Sequence, residues 1–439
     1  MLKETLRLAI PVAFSHLLIM TMGLVDLIYM REVGTVAAGA IGIAVAIVGW
    51  TLTVGLGLLA GLDYFIATAH GSGDRETTYR YLGQGIWLAL ATGVPCSAFL
   101  YFGADHLALM GITPDVAPIA ASLLKYLAPG MLPLFLFGAL RGFLQATSRP
   151  LPPMLALLAG NFLNVLFNYM FIFGHYGAPA LGARGSAVAT TLCRFSLAVM
   201  LVIYVLWDSR KSPIPWPLMK WNTEAFFRLF KLGLPASLQM MVELGVFGLS
   251  TVLAGNLTAN ALAAHQIVLN MASAAFMVPL GIGAACAVLV GQSIGAQNPV
   301  RAAEVGWLGL KLATGFMTFT ALLFFLIPNQ LLSVFTQDPV VIEIAMQLIL
   351  VAAIFQIADG AQTSLTGSLR GLGDTTTAAV VNFIGHWLIG LPISLALCFS
   401  LGWGVLGIWV GLAAGLFVVA CWLLYTWAHK TRKHPTPVL

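Results

Sequence analysis

Three acids stand where acids are costly. Asp26, Glu243 and Asp359 each lie inside a long apolar run, in the contexts MGLVDLIYM, MMVELGVFG and FQIADGAQT. A carboxylate at mid-membrane costs roughly 2.5–3.5 kcal/mol on insertion scales, so residues of this kind mark ion and proton pathways by default. The alternative is a buried pair with a base, but no Lys or Arg lies within one helical turn of any of the three. Asp63 also falls in an apolar run, near the end expected at the membrane face, where it can reach the interface.

Each acid has polar company at helical spacing. Asn164 and Asn168 are four apart and share one helix face, as do Ser186 and Thr190. Oxygen ligands around one carboxylate suit a hard cation such as Na⁺, or a proton on the acid itself. Helix–helix hydrogen bonding is the plainer alternative. Gln239 and Glu243 share a second face, and Gln356, Asp359 and Gln362 recur at i, i+3 and i+6. That polarity is too concentrated for a lipid-facing stripe. It points to a wet cavity able to take a proton, Na⁺ or an organic cation. His265, in AAHQIVLN, and His386 also lie in apolar runs and read as packing and hydrogen-bonding residues.

The elements holding these residues must be membrane helices. The chain has 439 residues, of which 59% are hydrophobic and 8% charged, with mean hydropathy +0.93. Soluble domains carry about 25% charged residues, and a third of that cannot cover a water-facing surface. The apolar runs are long and continuous, which excludes the short alternating segments of a β-barrel. Turn and charge punctuation gives twelve spans: Leu8–Met30, Val36–Tyr64, Tyr81–Phe102, Ile119–Leu140, Pro152–Phe173 and Gly182–Trp207, then Phe226–Ala254, Ala261–Val290, Ala303–Ile327, Val341–Leu365, Thr376–Phe399 and Val405–Thr426. Residues 1–207 form a first lobe and 225–439 a second, joined by a polar linker, 208–224 (DSRKSPIPWPLMKWNTE).

Charge fixes orientation. With the N-terminus inside, the inner segments hold Lys3, Arg7, Arg75, Arg149, Arg210, Lys211, Lys220, Arg301, Arg370, Lys430, Arg432 and Lys433. The outer ones hold only Arg31 and Arg184, with acids such as Asp105, Asp115 and Asp338. Both termini are therefore expected in the cytoplasm, in the inner membrane of a bacterium. Lys3 and Arg7 imitate a signal peptide, but Pro11 interrupts the run, no cleavage site follows, and the stretch reads as the first span. Chain direction then places Asp26, Asn164, Asn168, Ser186 and Thr190 at one depth, in the outer half of the first lobe.

The halves repeat. Pro11 and Pro235 are 224 positions apart, as are Gly71 and Gly295, while Leu144 and Leu369 differ by 225. Six spans per copy is even, so both copies face the same way and the repeat axis runs along the membrane normal. The glycines read mainly as close helix packing. Pro11 and Pro235 are candidates for helix bending.

Other chemistry finds little support. Cys96, Cys193, Cys286, Cys398 and Cys421 are scattered through apolar runs without metal-ligand spacing. No Walker A, HExxH or GxSxG pattern occurs, so neither ATP drive nor an enzyme is expected. The net charge of +5 has no basic stripe with interleaved aromatics, so nucleic acid is not an expected partner.

Read in order, LAIPVAFSHLL, MGLVD, LNVLFNYMFIFG, GARGSAVATT, LGLPASLQMMVELGVFG, NALAAHQIVLNMASAAFMVPLGIGAA, FQIADGAQTSLTGSLRGLGDT and GVLGIWVGL resemble the multidrug and toxic compound extrusion (MATE) family, nearest its NorM-like branch. The resemblance spans nearly the whole chain. It implies an all-α membrane fold of two pseudo-symmetric six-helix bundles around a V-shaped cleft. It also implies an antiporter that exports amphipathic, often cationic, drug-like compounds against Na⁺ or H⁺, acting as a monomer in lipid with no cofactor beyond the coupling ion. By the same resemblance Asp26, Asn164, Asn168 and Thr190 match the first-lobe cation site, where Na⁺ would bind, with Ser186 at a small-residue position. Asn168 replaces an acid found in many relatives. Glu243 and Asp359 match the second-lobe acids, and Phe355 stands where a tyrosine is common. A lipid-linked oligosaccharide flippase is the runner-up. It would need basic residues in the cavity, and this reading finds only Lys125 and Arg194 inside spans. A channel or membrane enzyme has neither a filter loop nor a catalytic cluster to support it.

Overall fold

The computed structural model describes residues 1–110, 112, 113, 115–208, 210 and 219–433. Of the polar linker, residue 209 and residues 211–218, Lys211 among them, lie outside the described residues.

Among the described residues twelve helices are long and apolar enough to cross a membrane. They are α1 (Leu2–Met30), α2 (Gly39–Gly71), α3 (Arg75–Leu107), α4 (Ala117–Ala146), α5 (Leu151–Phe173), α6 (Ala183–Asp208), α7 (Thr223–Gly255), α8 (Ala259–Gly295), α9 (Pro299–Leu326), α10 (Pro339–Gly371), α11 (Thr376–Ser400) and α12 (Val405–Arg432). Most outrun the apolar runs of the sequence because caps, not hydropathy, end them. Asp74 accepts the Thr77 amide (2.9 Å) before α3, and Thr258 accepts that of Ala261 (3.0 Å) before α8. Asn298 accepts that of Arg301 (3.0 Å) before α9, and Asp338 that of Val340 (2.9 Å) before α10; each precedes a proline. Large apolar side chains remain exposed on these helices, Phe162, Phe325 and Leu326 among them, as a lipid-facing surface requires.

The chain sorts into two compact units, Leu17–Ile66 with Asp74–Ser237, and Met1–His16 with Ala67–Gly73 and Leu238–Leu439. The first is built around Leu62, Leu82, Leu88, Leu124, Met131 and Phe135, all fully buried. Its α4 is broken by a 3₁₀ turn at Ala128–Gly130, where Pro129 denies the helix an amide donor. The second is built around Leu348, Ile349, Trp409 and Leu412.

The duplication is visible in the packing. A Cβ built on Gly57 would lie 2.4 Å from the Ser237 Cα, and one on Gly281 2.6 Å from the Ala13 Cα. A Cβ on Gly71 would lie 2.1 Å from the Gln292 carbonyl oxygen, and one on Gly295 1.9 Å from that of Thr68. Within each pair of contacts both partners are shifted by the same 224 positions. Backbones approach closely there because no side chain intervenes.

The copies also differ between α5 and α11. α5 is a regular helix, but its counterpart α11 contains two π-helical stretches, Ile384–Gly390 and Ala396–Ser400, on either side of Leu391–Leu395. Pro392 has no amide to donate to a preceding carbonyl, and the Leu391 amide reaches back five residues to the His386 carbonyl.

Candidate cation and proton sites

In the first half the structure brings three of the expected residues onto the carboxylate of a fourth, Asp26. Asn164 and Asn168 of α5 are fully buried, and their Nδ2 atoms donate to Asp26 Oδ1 at 2.9 and 2.7 Å. Thr190 Oγ1 of α6 donates to Asp26 Oδ2 at 3.1 Å. The four-residue spacing of the asparagines puts both amides on the face of α5 turned to α1. Asn161, one turn earlier on that face, donates from Nδ2 to the Leu18 carbonyl (3.1 Å) and ties α5 to α1 below the acid. Ser186 is buried; among the described residues its Oγ, like Asn161 Oδ1, Asn164 Oδ1 and Asn168 Oδ1, is a buried oxygen without a hydrogen-bond partner. Buried oxygens left unpaired cost about 1–3 kcal/mol each, so the two in the amides that hold Asp26, those of Asn164 and Asn168, are where a ligand would be bound. The set is oxygen-only, which fits a hard monovalent cation.

Arg194, one turn after Thr190 on α6, interacts electrostatically with Asp26. Among the described residues its guanidinium donates only to Met131 Sδ, at 3.6 Å, and it lies over Gly130 at the break in α4. This neighbour comes from another helix and is invisible to a count along one strand of sequence.

The second half is organised differently. Gln362 Nε2 of α10 donates to Glu243 Oε1 of α7 and also to Asn382 Oδ1 of α11 (3.0 Å). Gln239, one turn before Glu243, is hydrogen-bonded to it as well, and Asp359 interacts with it electrostatically. Gln356 turns away, its Oε1 accepting from Thr320 Oγ1 of α9 at 2.5 Å. Phe355 is buried edge-on against Phe247 and Trp409. Asn382 and Thr320 were missed in the sequence; the only signal was a polar residue in an apolar span.

The two histidines part company. Trp409 Nε1 can only donate, and it donates to His265 Nδ1 at 3.1 Å. His265 is therefore the Nε2–H tautomer, donating to Thr251 Oγ1 (3.0 Å), which in turn donates to the Phe247 carbonyl (3.1 Å). Every polar atom of that ring is satisfied, the state of a packing residue. His386 is equally buried, but neither ring nitrogen has a partner among the described residues.

Two basic residues need reassignment. Lys125 lies toward one end of α4 and pairs with Asp105 at 2.6 Å. Counting only Lys125 and Arg194 inside spans omits Arg141, because α4 continues past Leu140 to Ala146. Arg141 interacts electrostatically with Asp63, which gives Asp63 a basic neighbour on another helix. Pro11 and Pro235 both lie inside their helices, and Ser15 Oγ donates to the Pro11 carbonyl at 2.7 Å.

Comparison with known proteins gives one answer. The MatE family model matches twice, over residues 11–170 and 235–396, one match for each repeat. A protein of Pseudomonas putida described as "Probable multidrug resistance protein NorM" is 36% identical over 98% of this chain and 95% of its own. One of the same description from Bradyrhizobium diazoefficiens is 33% identical over 98% and 94%. Among solved structures, a MATE in complex with MaL6 superposes with TM-score 0.91 at 19% identity, covering 98% of this chain and 96% of that one. The eukaryotic MATE transporter AtDTX14 gives 0.87 at 22%, covering 98% and 97%.

Proposed function

We propose that this chain, which belongs to the MatE family of multidrug efflux transporters, is a secondary antiporter that exports amphipathic, cationic compounds in exchange for Na⁺ or H⁺ by alternating access. The observation that carries the reading is the Asp26 carboxylate, held by three donors from two other helices, two of them amides whose own oxygens are buried and lack partners.

The chemistry follows from those contacts. While Asp26 is charged, the amide donors of Asn164 and Asn168 and the Thr190 hydroxyl stabilise it by hydrogen bonding. A cation entering the site takes the carboxylate oxygens and draws the free oxygens of Asn164, Asn168 and Ser186 toward itself. A proton entering instead removes the charge that the amides were holding. Either event rewrites the contacts between α1 and α5–α6, and Pro11 gives α1 a weak point at which to respond. Glu243 and Asp359 form the second acid pair. Two neighbouring carboxylates resist being charged together, so either a proton or the cationic head of a cargo molecule can serve as the balancing charge there. Phe355 offers no hydroxyl there, which favours a proton or cargo over Na⁺ in the second half. We further place the chain in a bacterial inner membrane with both termini cytoplasmic, on the charge asymmetry of its connecting segments.

Accumulation of a fluorescent cationic dye in cells with and without the gene tests the reading. Lower accumulation in expressing cells, abolished by collapsing the Na⁺ and proton gradients together, is expected. Equal accumulation would return the chain to the flippase alternative.

A further inference from the structure

His386 is fully buried, yet both ring nitrogens lack partners among the described residues. An imidazole so placed costs free energy in a dry interior, and His265 shows that the same half of the molecule can satisfy one completely. The repeat explains how the ring came to be free. His386 stands 225 positions after Asn161, and Val242 stands 224 after Leu18. In the first half Asn161 donates to the Leu18 carbonyl. In the second half the corresponding carbonyl of Val242 is taken by Trp387 Nε1 at 3.0 Å, one residue further on. The π turn of Ile384–Gly390 supplies the shift. It passes the tying role to Trp387 and leaves His386 unengaged.

The freed ring lies one helical turn from two members of the second acid pair's network. Its neighbouring ring is Phe247 (centroids 6.4 Å apart), one turn after Glu243 on α7. One turn before it on α11 is Asn382, the far end of the Glu243–Gln362–Asn382 chain. Gln362 Oε1 in that chain is also buried and unpartnered. On the helices around it Glu243 of α7 and Asp359 of α10 are the mid-span ionisable groups, while Arg228 and Lys231 of α7 and Glu343 and Arg370 of α10 lie toward the helix ends. His265 of α8 is committed to Trp409, and α12 meets this stretch through Gly411, Gly415 and Val419, with its Cys421 and Tyr425 exposed.

We propose that His386 is a proton-accepting partner of Glu243. The Glu243 carboxyl O–H bond breaks, an N–H bond forms on the imidazole, the proton passing through one bridging water, and a carboxylate–imidazolium pair results with no change in net charge. The acid is thereby made available to a cationic cargo without first losing its proton to solvent. The proposal rests on the reading of the second acid pair as a coupling site.

The test is ¹³C-histidine NMR of the full chain in lipid nanodiscs, with the His386 resonance assigned by His386→Phe. His386 is expected to titrate between about pH 5 and 8, the range in which an imidazole changes charge, and its midpoint is expected to move in Glu243→Gln. A ring that stays neutral across that range, or that titrates identically in Glu243→Gln, overturns the proposal. His386→Phe, which keeps an aromatic ring against Phe247, is expected to flatten the pH profile of proton-driven export; an unchanged profile also overturns it. The titration needs no transport, so failure of the antiporter reading would show separately, as wild-type vesicles that export nothing.

Discussion

At the scale of the residue, the first-half site depends on Asp26 more than on any group that surrounds it. Asp26→Asn keeps the shape but removes the charge that three donors serve. It is expected to cut export by at least about tenfold, the effect of some 1.4 kcal/mol, with normal expression in membranes by immunoblot. Asp359→Asn is expected to do the same from the second half. Asn168→Asp adds a second charge beside Asp26 and is expected to raise the affinity for Na⁺, read as a lower Na⁺ concentration for half-maximal export. These acids were legible in the sequence because a charge in an apolar run is conspicuous. Their neighbours were less so: Arg194 bears on Asp26, and Asn382 completes the Glu243 chain, through contacts between helices whose rotation no single run reveals. A residue with a purely structural duty gives a contrast. Trp409→Phe strips His265 Nδ1 of its donor and is expected to lower stability by about 1–3 kcal/mol, seen as a lower melting temperature.

At the scale of the element, helix ends are set by capping and pairing chemistry at the membrane face. Asp374 lies between α10 and α11 and binds Lys430 of α12 at 2.7 Å. Burial acts to raise its carboxyl, but the hydrogen bonds from Lys430 and Thr377 outweigh it and hold the group below its ordinary value. A depressed carboxyl contributes stability that is present above the unfolded value, about 3.9, and is lost as pH falls through the folded one. Asp374→Asn is therefore expected to melt below wild type at pH 7, and the gap is expected to close as the pH drops below about 4. Constant melting-temperature differences across that range would remove the charge from the explanation. The sequence placed α11 correctly as a span but showed nothing of its π turns. Hydropathy is blind to a one-residue change of hydrogen-bond register, and Pro392 alone does not announce one.

At the scale of the whole molecule, the duplication governs what can be predicted. Its offset was readable from a handful of Pro, Gly and Leu matches, and the structure repeats it in paired backbone approaches at Gly57 and Gly281. Gly57→Val and Gly281→Val are accordingly expected to behave alike, each destabilising by about 1–3 kcal/mol through overpacking. Gly315→Val, whose Cβ would meet nothing within 4 Å, is expected to be neutral. Thermal unfolding in detergent compares the three. The twelve spans were readable because lipid demands long apolar helices. The chemistry of the two halves diverged on the same frame, with asparagines and a threonine around one acid in the first and a glutamine bridge between helices in the second. The central claim is that an ion gradient on buried carboxylates drives export. Its most direct test is dye transport by purified protein in liposomes without ATP, with a Na⁺ gradient and a pH gradient imposed separately, in wild type and Asp26→Asn. Transport driven by at least one gradient in wild type and by neither in Asp26→Asn is predicted; gradient-driven transport of equal rate in the two proteins would contradict it.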